Sequence, residues 1–369
     1  MPVFRYALER WAADRFSGVL FVNGKLSEGQ DEVYTNLVRA ADAPAAGLNL
    51  DAVKVDVSGE IPAKFRRIWK EQETAAAGKL PWLVIRYPAL AGDEQRVLFA
   101  GGLESGELAS LMNSPAREEL GRRLMKGEAL VFVLVESGEK ERDERAARTI
   151  SEQIPVLEKT VKVSKVIEDD PLVEGPTLKS KLPVALAMSL LRVSRDDARE
   201  KMFVRMLEGS QSSAINRDAP VVFAVFGRGR ILCAFSGESI KAENLEDAAA
   251  FLAGPCSCQV KELNPGVDIL MAADWESVIE DREAVAPRVA RIQIPEPKIA
   301  GGAATKPAAR IATTQGVWGT ATFSRNANGT ESFSIMLNDR GVLVVGIVVS
   351  GVVALVLGLM LLRQRRVGK

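Results

Sequence analysis

Apolar residues occur along this chain in short runs, and most runs are followed by a stretch in which apolar positions recur at helical spacing. Residues 16–22, FSGVLFV, form the first run, and Ser27 with Gln30 then gives the capping-box pattern that begins many helices. The predicted strands are 16–22, 51–57, 80–88 and 95–102, and the predicted helices begin at Ser27 and at Ile61-Pro62 and cover 104–114. The order of elements is therefore βαβαββα.

Residues 129–254 repeat this order of elements. An apolar run at 129–137 is followed by a helix, which is marked by apolar positions at Ile150, Ile154 and Leu157. The other predicted strands are 182–193, 219–227 and 229–237, and the other predicted helices begin at Ser194 and after Asn244. The two passes predict an α/β fold class with two βαβαββα domains, one over residues 1–127 and one over 128–282.

The pattern changes after residue 282. Residues 283–340 are rich in Pro, Ala and Gly, which predicts a flexible stalk, and the alternation around Asn328-Gly329 suggests a small hairpin within it. Residues 341–362, GVLVVGIVVSGVVALVLGLMLL, carry no charge, and a helix of this length at ~1.5 Å per residue crosses a hydrocarbon core of ~30 Å. We therefore predict a C-terminal transmembrane helix at 341–362, followed by a basic tail at 363–369.

Two features give opposite predictions for the orientation of this anchor. The positive residues of 363–369 favour a cytoplasmic tail, which would place the folded domains outside. The N-terminal residues show no apolar export signal with a cleavage site, which favours cytoplasmic domains. We give more weight to the second feature, because folded domains need a route across the membrane. The prediction is a single-pass membrane protein with a C-terminal anchor and cytoplasmic domains.

Small residues recur at every fourth position of the predicted membrane helix. They are Gly346, Ser350, Ala354 and Gly358. A stripe of this kind lets two helices approach closely, so a homodimer packed through it is one interpretation. The other is that small residues are frequent in membrane helices in any case.

The composition excludes several classes of function. Lys plus Arg (48) equals Asp plus Glu (48), so no net positive field attracts nucleic acid, and no nucleic-acid partner is predicted. The chain has no histidine, which excludes Ser-His-Asp and Cys-His catalysis and every histidine-containing metal site. It also lacks the glycine-rich phosphate and dinucleotide motifs, so we predict no cofactor, no metal and no catalytic residues.

Both passes end in a proline that opens a strand, a hairpin, a glycine and a last amphipathic helix. The two stretches are LPWLVIRYP…RVLFAGGLESGELASLM and APVVFAVFGRGRILCAFSGESIKAENLEDAAAFLAG. In this order of elements, over about residues 16–258, the chain resembles the thioredoxin fold. The resemblance implies that Pro81 and Pro220 are cis prolines that face the corner where the family's catalytic cysteines lie. A doubly wound α/β domain of another kind is the alternative.

The cysteines that this resemblance implies are missing from both corners. The corner sequences are FVNGKLSEGQDEV and VLVESGEKERDER, without the Cys-x-x-Cys that begins the first helix in redox-active members. The resemblance therefore implies two redox-inactive domains whose Pro81 and Pro220 corners bind extended peptides, as non-catalytic members of the family do. We predict a membrane-anchored binding or assembly module for another protein.

Cys256 and Cys258 lie in the segment GPCSCQVKELNP, beyond the last helix of the second domain and away from both proline corners. Three interpretations remain open. The two residues are small part-buried side chains in a turn, a strained and easily reduced thiol pair, or two thiolate ligands of a soft metal. Lys261, just beyond the pair, would favour a thiolate. The alternative function is therefore a thiol–disulfide oxidoreductase or soft-metal carrier that acts through Cys256 and Cys258.

Overall fold

The computed structural model describes most of the chain up to Val285 and short segments beyond it. The described residues are 1–88, 96–167, 177–210, 215–256, 261–264, 266–285, 321–325, 331–336, 343–349 and 352–353. Residues 1–210 and 215–302 form one compact unit, and residues 211–214 with 303–369 form another. The fold of the first unit is mixed α/β, with one sheet of four strands and one of five.

The first sheet is built from the apolar runs of the first half. Its strands are β1 (Phe16–Val22), β2 (Leu50–Asp56), β3 (Trp82–Arg86) and β4 (Val97–Gly102). They lie in the order β2–β1–β3–β4, with β1 parallel to β2 and β3 antiparallel to both of its neighbours. The central strands β1 and β3 are buried almost throughout, which explains their continuous apolar sequence, whereas the edge strand β2 is largely exposed between its two buried residues.

The helices of the first half follow local capping signals. They are α1 (Val3–Arg10), α2 (Glu28–Ala41), α3 (Ala63–Ala76), α4 (Glu107–Met112) and α5 (Pro115–Met125). The predicted capping box of α2 is confirmed, because the Ser27 hydroxyl accepts from Gln30 N–H and the Gln30 side chain accepts from Ser27 N–H. The predicted helix over 104–114 is shorter, since Ser114 caps a second helix with Pro115 at its first position.

The second sheet repeats the order and directions of the first and adds one strand. Its strands are β5 (Leu130–Glu136), β6 (Met188–Ser194), β7 (Val221–Phe226), β8 (Arg230–Ser236) and β9 (Val267–Asp268). They lie in the order β6–β5–β7–β8–β9, and only the β5–β6 pair is parallel. The strand predicted at 182–193 is wrong before Met188. Of residues 182–194, only Met188–Ser194 pair with β5. Pro183, which precedes them, has no N–H to donate to a sheet ladder.

The helices of the second half differ from the prediction mainly at their first residues. They are α6 (Lys140–Thr160), α7 (Lys201–Gly209), α8 (Ala242–Ala253) and α9 (Trp275–Glu280). α7 does not begin at Ser194, because β6 continues to that residue and hydrogen-bonded turns connect it to Glu200. α8 begins before Asn244, whose amide donates to the Ser239 carbonyl (2.8 Å) instead of capping the helix. α6 includes Pro155, and Ile150 and Leu157 are buried, as their spacing predicts.

The N-terminal helix α1 packs against the second sheet, although it precedes the first sheet in sequence. Val3, Phe4 and Ala7 belong to one apolar cluster with residues of β5, β7, α6 and α8. The side chains of Arg5 and Glu9 form a buried ion pair (2.8 Å), and the Glu9 carboxylate accepts the N–H groups of 179 and 180. The first residues of the chain are therefore part of the core of the second half.

A segment near the end of the unit crosses in the opposite direction. Residues 269–275, which we call the return segment, follow β9 and pack against the first sheet. The Asn49 side chain donates to the Ile269 carbonyl (3.1 Å) and accepts from Met271 N–H (2.7 Å). The buried Arg117 guanidinium donates to the Leu270 carbonyl (2.9 Å). Each of the two predicted domains thus contributes a segment that packs against the sheet of the other domain: α1 packs against the second sheet, and the return segment packs against the first.

The main apolar core is shared by the two halves. One cluster includes Leu20 and Leu83 of the first sheet, Val133 and Phe223 of the second, and Phe203 of α7. Burial of each such side chain contributes about 1.5–3 kcal/mol, so the stability of either half depends on contacts with the other. A smaller cluster on the opposite face of the first sheet includes Trp82, and the part-buried Trp69 packs against it.

Four strand segments are described in the second unit. They are β10 (Ala321–Arg325), β11 (Glu331–Met336), β12 (Leu343–Val349) and β13 (Val352–Val353), each antiparallel to the next. The β10–β11 pair agrees with the hairpin predicted around Asn328-Gly329, residues that lie outside the described ones. Most of the predicted stalk and the whole predicted tail, 363–369, also lie outside them.

The predicted transmembrane helix at 341–362 is described only at β12 and β13, where the backbone is extended; its other residues lie outside the described ranges. Valine-rich sequence has a high strand propensity, whereas the prediction of a span depends on apolarity alone. Among the described residues, no helix combines the length and apolarity needed to cross a membrane. The transmembrane span and its orientation stay predictions.

Candidate functional site

The corner at Pro81 contains a cleft between two loops. One loop, residues 23–27, connects β1 to α2, and the other, residues 77–81, connects α3 to β3. The Leu80–Pro81 peptide is cis, as the thioredoxin resemblance implies. The cleft has a volume of about 380 Å³. It is lined by Val22, Asn23, Lys25, Leu26, Gln30, Gly78, Leu80 and Pro81.

The chemistry of this lining suits binding better than catalysis. Val22, Leu26 and Leu80 supply apolar surface, and Asn23 and Gln30 supply amide groups. No cysteine, carboxylate or hydroxyl is among the lining residues. The cleft can therefore contact an apolar group and hydrogen-bond a peptide, but it holds no acid–base pair and no thiol.

The first loop is held in place from the neighbouring strand. The Asp56 carboxylate, at the end of β2, accepts the Gly24 N–H (3.2 Å) and both the N–H and the hydroxyl of Ser58 (2.9 and 2.7 Å). The Ser58 hydroxyl and N–H and the Gly24 N–H lower the pKa of the Asp56 carboxyl below its ordinary value. Asp56 is thus ionised at neutral pH, and it fixes the loop without entering the cleft lining.

The equivalent corner at Pro220 is linked by hydrogen bonds of its own side chains. Asp143, which is buried in the first turn of α6, accepts the N–H and the hydroxyl of Ser137 (both 2.8 Å) and the Gly138 N–H (3.0 Å). The Arg142 guanidinium donates across the corner to the Asp218 carbonyl (3.0 Å). Hydrogen bonds of Asp143 and Arg142 thus join the two loops of the Pro220 corner.

Two details of the proline corners differ from the predictions. The Ala219–Pro220 peptide is not cis; in the described part of the chain the cis bond is Leu80–Pro81. The side chains of Pro81 and Pro220 are both buried. The exposed groups of each corner therefore come from the neighbouring loops, and whether either corner binds a peptide stays a prediction.

Cys256 lies just after α8 and is held by the N-terminus of the chain. Its N–H donates to the Met1 carbonyl (2.9 Å), and Pro255 bridges to Pro2. The Cys256 side chain is half-buried and packs against the apolar cluster of the second half. Cys258 lies outside the described residues. The position of Cys256 fits the interpretation of a part-buried side chain in a turn.

Lys261 has a role other than the predicted support of a thiolate. Its ammonium donates to the Ala12 carbonyl (2.6 Å) and contacts the carboxylates of Asp14 (2.9 Å) and Asp268. Arg230 binds the same Asp268 (3.0 Å). All three ammonium protons of Lys261 thus have acceptors within the network that joins residues 12–14 to β8 and β9, so the Lys261 charge is already compensated there.

The third cysteine has no activating environment. Cys233 lies in β8, and burial, with a smaller effect of the Asp247 carboxylate, raises the pKa of its thiol to about 12. At neutral pH this thiol is protonated and unreactive. Within the described ranges, no group of three or more Cys, Asp or Glu side chains is arranged to hold a metal ion.

The predicted dimerisation stripe is scarcely described. Gly346 lies in β12, opposite Phe333 of β11, whereas Ser350, Ala354 and Gly358 lie outside the described residues. A homodimer through these positions stays a prediction.

Sequence reasoning selected Pro81 but missed Asn23, Lys25 and Gln30, the polar residues of the cleft. The corner sequence FVNGKLSEGQDEV contains all three. These three residues were missed because only cysteines were sought at this corner. The feature that could have identified them is a polar loop between a buried strand and a capping box. Comparison with known proteins finds no family model, no curated protein and no solved structure that matches this chain.

Proposed function

We propose that this chain is a membrane-anchored, non-catalytic binding module made of two thioredoxin-like domains, and that it binds an extended segment of another protein at the Pro81 corner. The thioredoxin-like assignment is supported by strand order and direction. In each half, the strand that is third in sequence is antiparallel to the strands beside it in the sheet. The strand that is second in sequence lies at the edge of the sheet and is parallel to the first. The sequence order βαβαββα with this arrangement is what the resemblance implies.

The observation that carries the proposal is the cleft itself. It lies where the redox-active members of the thioredoxin family present their cysteines and contact extended substrates, and here it is lined by amide, apolar and ammonium groups without a thiol. The site therefore retains room for a peptide and lacks the group that would react with it. Because Asp143 and Arg142 form hydrogen bonds within the Pro220 corner, we propose the Pro81 corner as the binding site.

The anchor part of the proposal is supported by the uncharged apolar sequence of residues 341–362 and the stalk-like composition before it. We propose that the folded domains lie in the cytoplasm.

Selection of short peptides of about seven residues on the full-length chain, followed by fluorescence anisotropy, tests the proposal. Asn23 is exposed at the cleft, so Asn23→Trp should fill it and weaken the selected peptides by about tenfold or more. The matched control is Lys140→Trp, an exposed change at the first residue of α6, beside the Pro220 corner. Equal binding by both variants, or no peptide selected above scrambled sequences, would refute the proposal.

A further inference from the structure

The two loops that form the walls of the Pro81 cleft share the same three residues. Gly24-Lys25-Leu26 lies in the loop before α2, and Gly78-Lys79-Leu80 lies in the loop before β3. Both glycines have left-handed backbone conformations, with φ of 72° at Gly24 and 68° at Gly78, which glycine adopts without the cost that a side chain would add. The two walls therefore make similar turns, each of which presents a lysine followed by a leucine.

No described carboxylate forms an ion pair with either of these two lysines. Lys25 and Lys79 are exposed, and in the described part of the chain neither ammonium forms a salt bridge. Lys79 lies over the Trp82 ring at 6.0 Å from its centroid, beside the cleft. The leucines of the same turns are part-buried and line the cleft. Each wall thus combines an available positive charge with an apolar contact.

Three acidic residues in and around these loops do not line the cleft. Asp56 accepts hydrogen bonds from Gly24 and Ser58, and Asp31 lies 3.9 Å from the Lys54 ammonium. Glu28, in the first turn of α2, is exposed and is not a lining residue. The charged group of the cleft lining is therefore a cation.

We propose that the Pro81 cleft selects an extended acidic segment in which carboxylate side chains flank an apolar one. The apolar side chain packs between Leu26 and Leu80, and the carboxylates on either side of it meet Lys25 and Lys79. This inference rests on the proposed binding function and specifies its ligand. Charge complementarity of this kind contributes mainly to the choice of partner and to the association rate, and salt weakens it.

Three labelled peptide probes of about eight residues test this selectivity, with leucine alternating with glutamate, glutamine or lysine. At low salt the full-length chain should bind the glutamate probe about tenfold more tightly than the glutamine probe, and added salt should reduce the difference. Lys25→Glu combined with Lys79→Glu should reverse the order in favour of the lysine probe. Lys64→Glu with Lys70→Glu makes the same charge change at exposed positions of α3 and should leave the order unchanged.

The outcomes separate this inference from the proposed function. If all three probes bind equally and Asn23→Trp abolishes their binding, the acidic preference is wrong and the binding site stands. If no probe binds while selected peptides do, the acidic segment is wrong and the binding site stands; if neither binds, both proposals fall. If heparin displaces the labelled glutamate probe as effectively as the same unlabelled peptide does, the cleft attracts any polyanion. That result would overturn the proposed selectivity. Lys25→Gln combined with Lys79→Gln only removes charge, so it should abolish the preference for the glutamate probe without reversing it. This variant replaces the double glutamate variant in the test if the latter does not fold.

Discussion

Replacement of Asn49 by alanine should destabilise the whole compact unit, because this side chain joins the first sheet to the return segment. Asn49 is 7% exposed. Its amide nitrogen donates to the carbonyls of Asp14 (2.8 Å) and Ile269 (3.1 Å), and its oxygen accepts from Met271 N–H (2.7 Å). Alanine removes all three hydrogen bonds and leaves three backbone groups without these partners.

The size of the effect follows from these bonds. A buried hydrogen bond contributes about 0.5–1.5 kcal/mol net, and a buried partner left unsatisfied costs about 1–3 kcal/mol. Water reaching part of the vacated space offsets some of this cost, so the loss in the free energy of unfolding should be about 3 kcal/mol. At about 2.1 cal/mol/K of unfolding entropy per residue, that loss corresponds to a fall in Tm of roughly 5 °C for a unit of about 300 residues. Asn49→Asp should cost at least as much, because a carboxylate oxygen would face the two carbonyl oxygens that the amide now serves.

Thermal unfolding followed by tryptophan fluorescence measures the effect in two single-tryptophan variants of this chain of five tryptophans. One variant retains Trp82, in the first half, and the other retains Trp11, in the cluster of the second. Both signals should shift together in Asn49→Ala. The control is Asn216→Ala, at an exposed loop residue. Among the described contacts its side chain accepts only the nearby Asp218 N–H, so the change should alter stability by less than about 0.5 kcal/mol. A loss below about 1 kcal/mol, or a shift of the Trp82 signal alone, would show that the return segment does not couple the two halves.

Four further predictions concern the cysteines and the anchor. Cys256→Ser with Cys258→Ser should cost only about 1 kcal/mol and leave peptide binding intact; loss of bound metal or of a redox activity would identify these cysteines as the functional site. Cys233, whose thiol pKa is raised to about 12, should resist alkylation at pH 8 in the folded chain and react when the chain is unfolded. Mass spectrometry of the labelled peptides measures this, and rapid modification of Cys233 in the folded chain would contradict the prediction. The raised pKa also means that the folded state loses stability as the pH rises from about 9 towards 12, because the unfolded thiol ionises first, and denaturation at these pH values should show the loss. Protease added to intact cells should leave the domains uncut if residues 341–362 anchor them in the cytoplasm, and digestion would instead favour the orientation given by the basic tail.

The sequence was sufficient for those elements whose pattern is determined locally. The run FSGVLFV became β1 with its predicted ends, and the capping box at Ser27 and Gln30 formed as expected. Both depend on residues within one turn or one strand. The predicted start of α8 at Asn244 was wrong because the asparagine amide found an acceptor at Ser239, a choice between two local partners that spacing cannot decide.

Long-range partners could not be predicted in this way. Apolar positions in residues 3–11 are compatible with an amphipathic helix, but nothing in the pattern says that this helix packs against the later sheet. The contact between Asn49 and Met271 joins residues 222 apart in sequence. The cleft depends on two loops that meet only because β1 and β3 are neighbours in the sheet, so its residues could be found only once that pairing was known.

The two corners share one topology but differ in the contacts of the aspartate that follows each connecting loop. Asp31 and Asp143 both occupy the fourth position of the helix that follows the first strand of their half. In the second half the connecting loop is residues 137–139, and it is short enough for the Asp143 carboxylate to reach back to Ser137 and Gly138. In the first half the connecting loop, residues 23–27, is two residues longer; Asp31 lies 3.9 Å from the Lys54 ammonium, and a cleft lies beside Pro81. The aspartate at the fourth helical position therefore binds the connecting loop where that loop is short and a neighbouring strand where it is long.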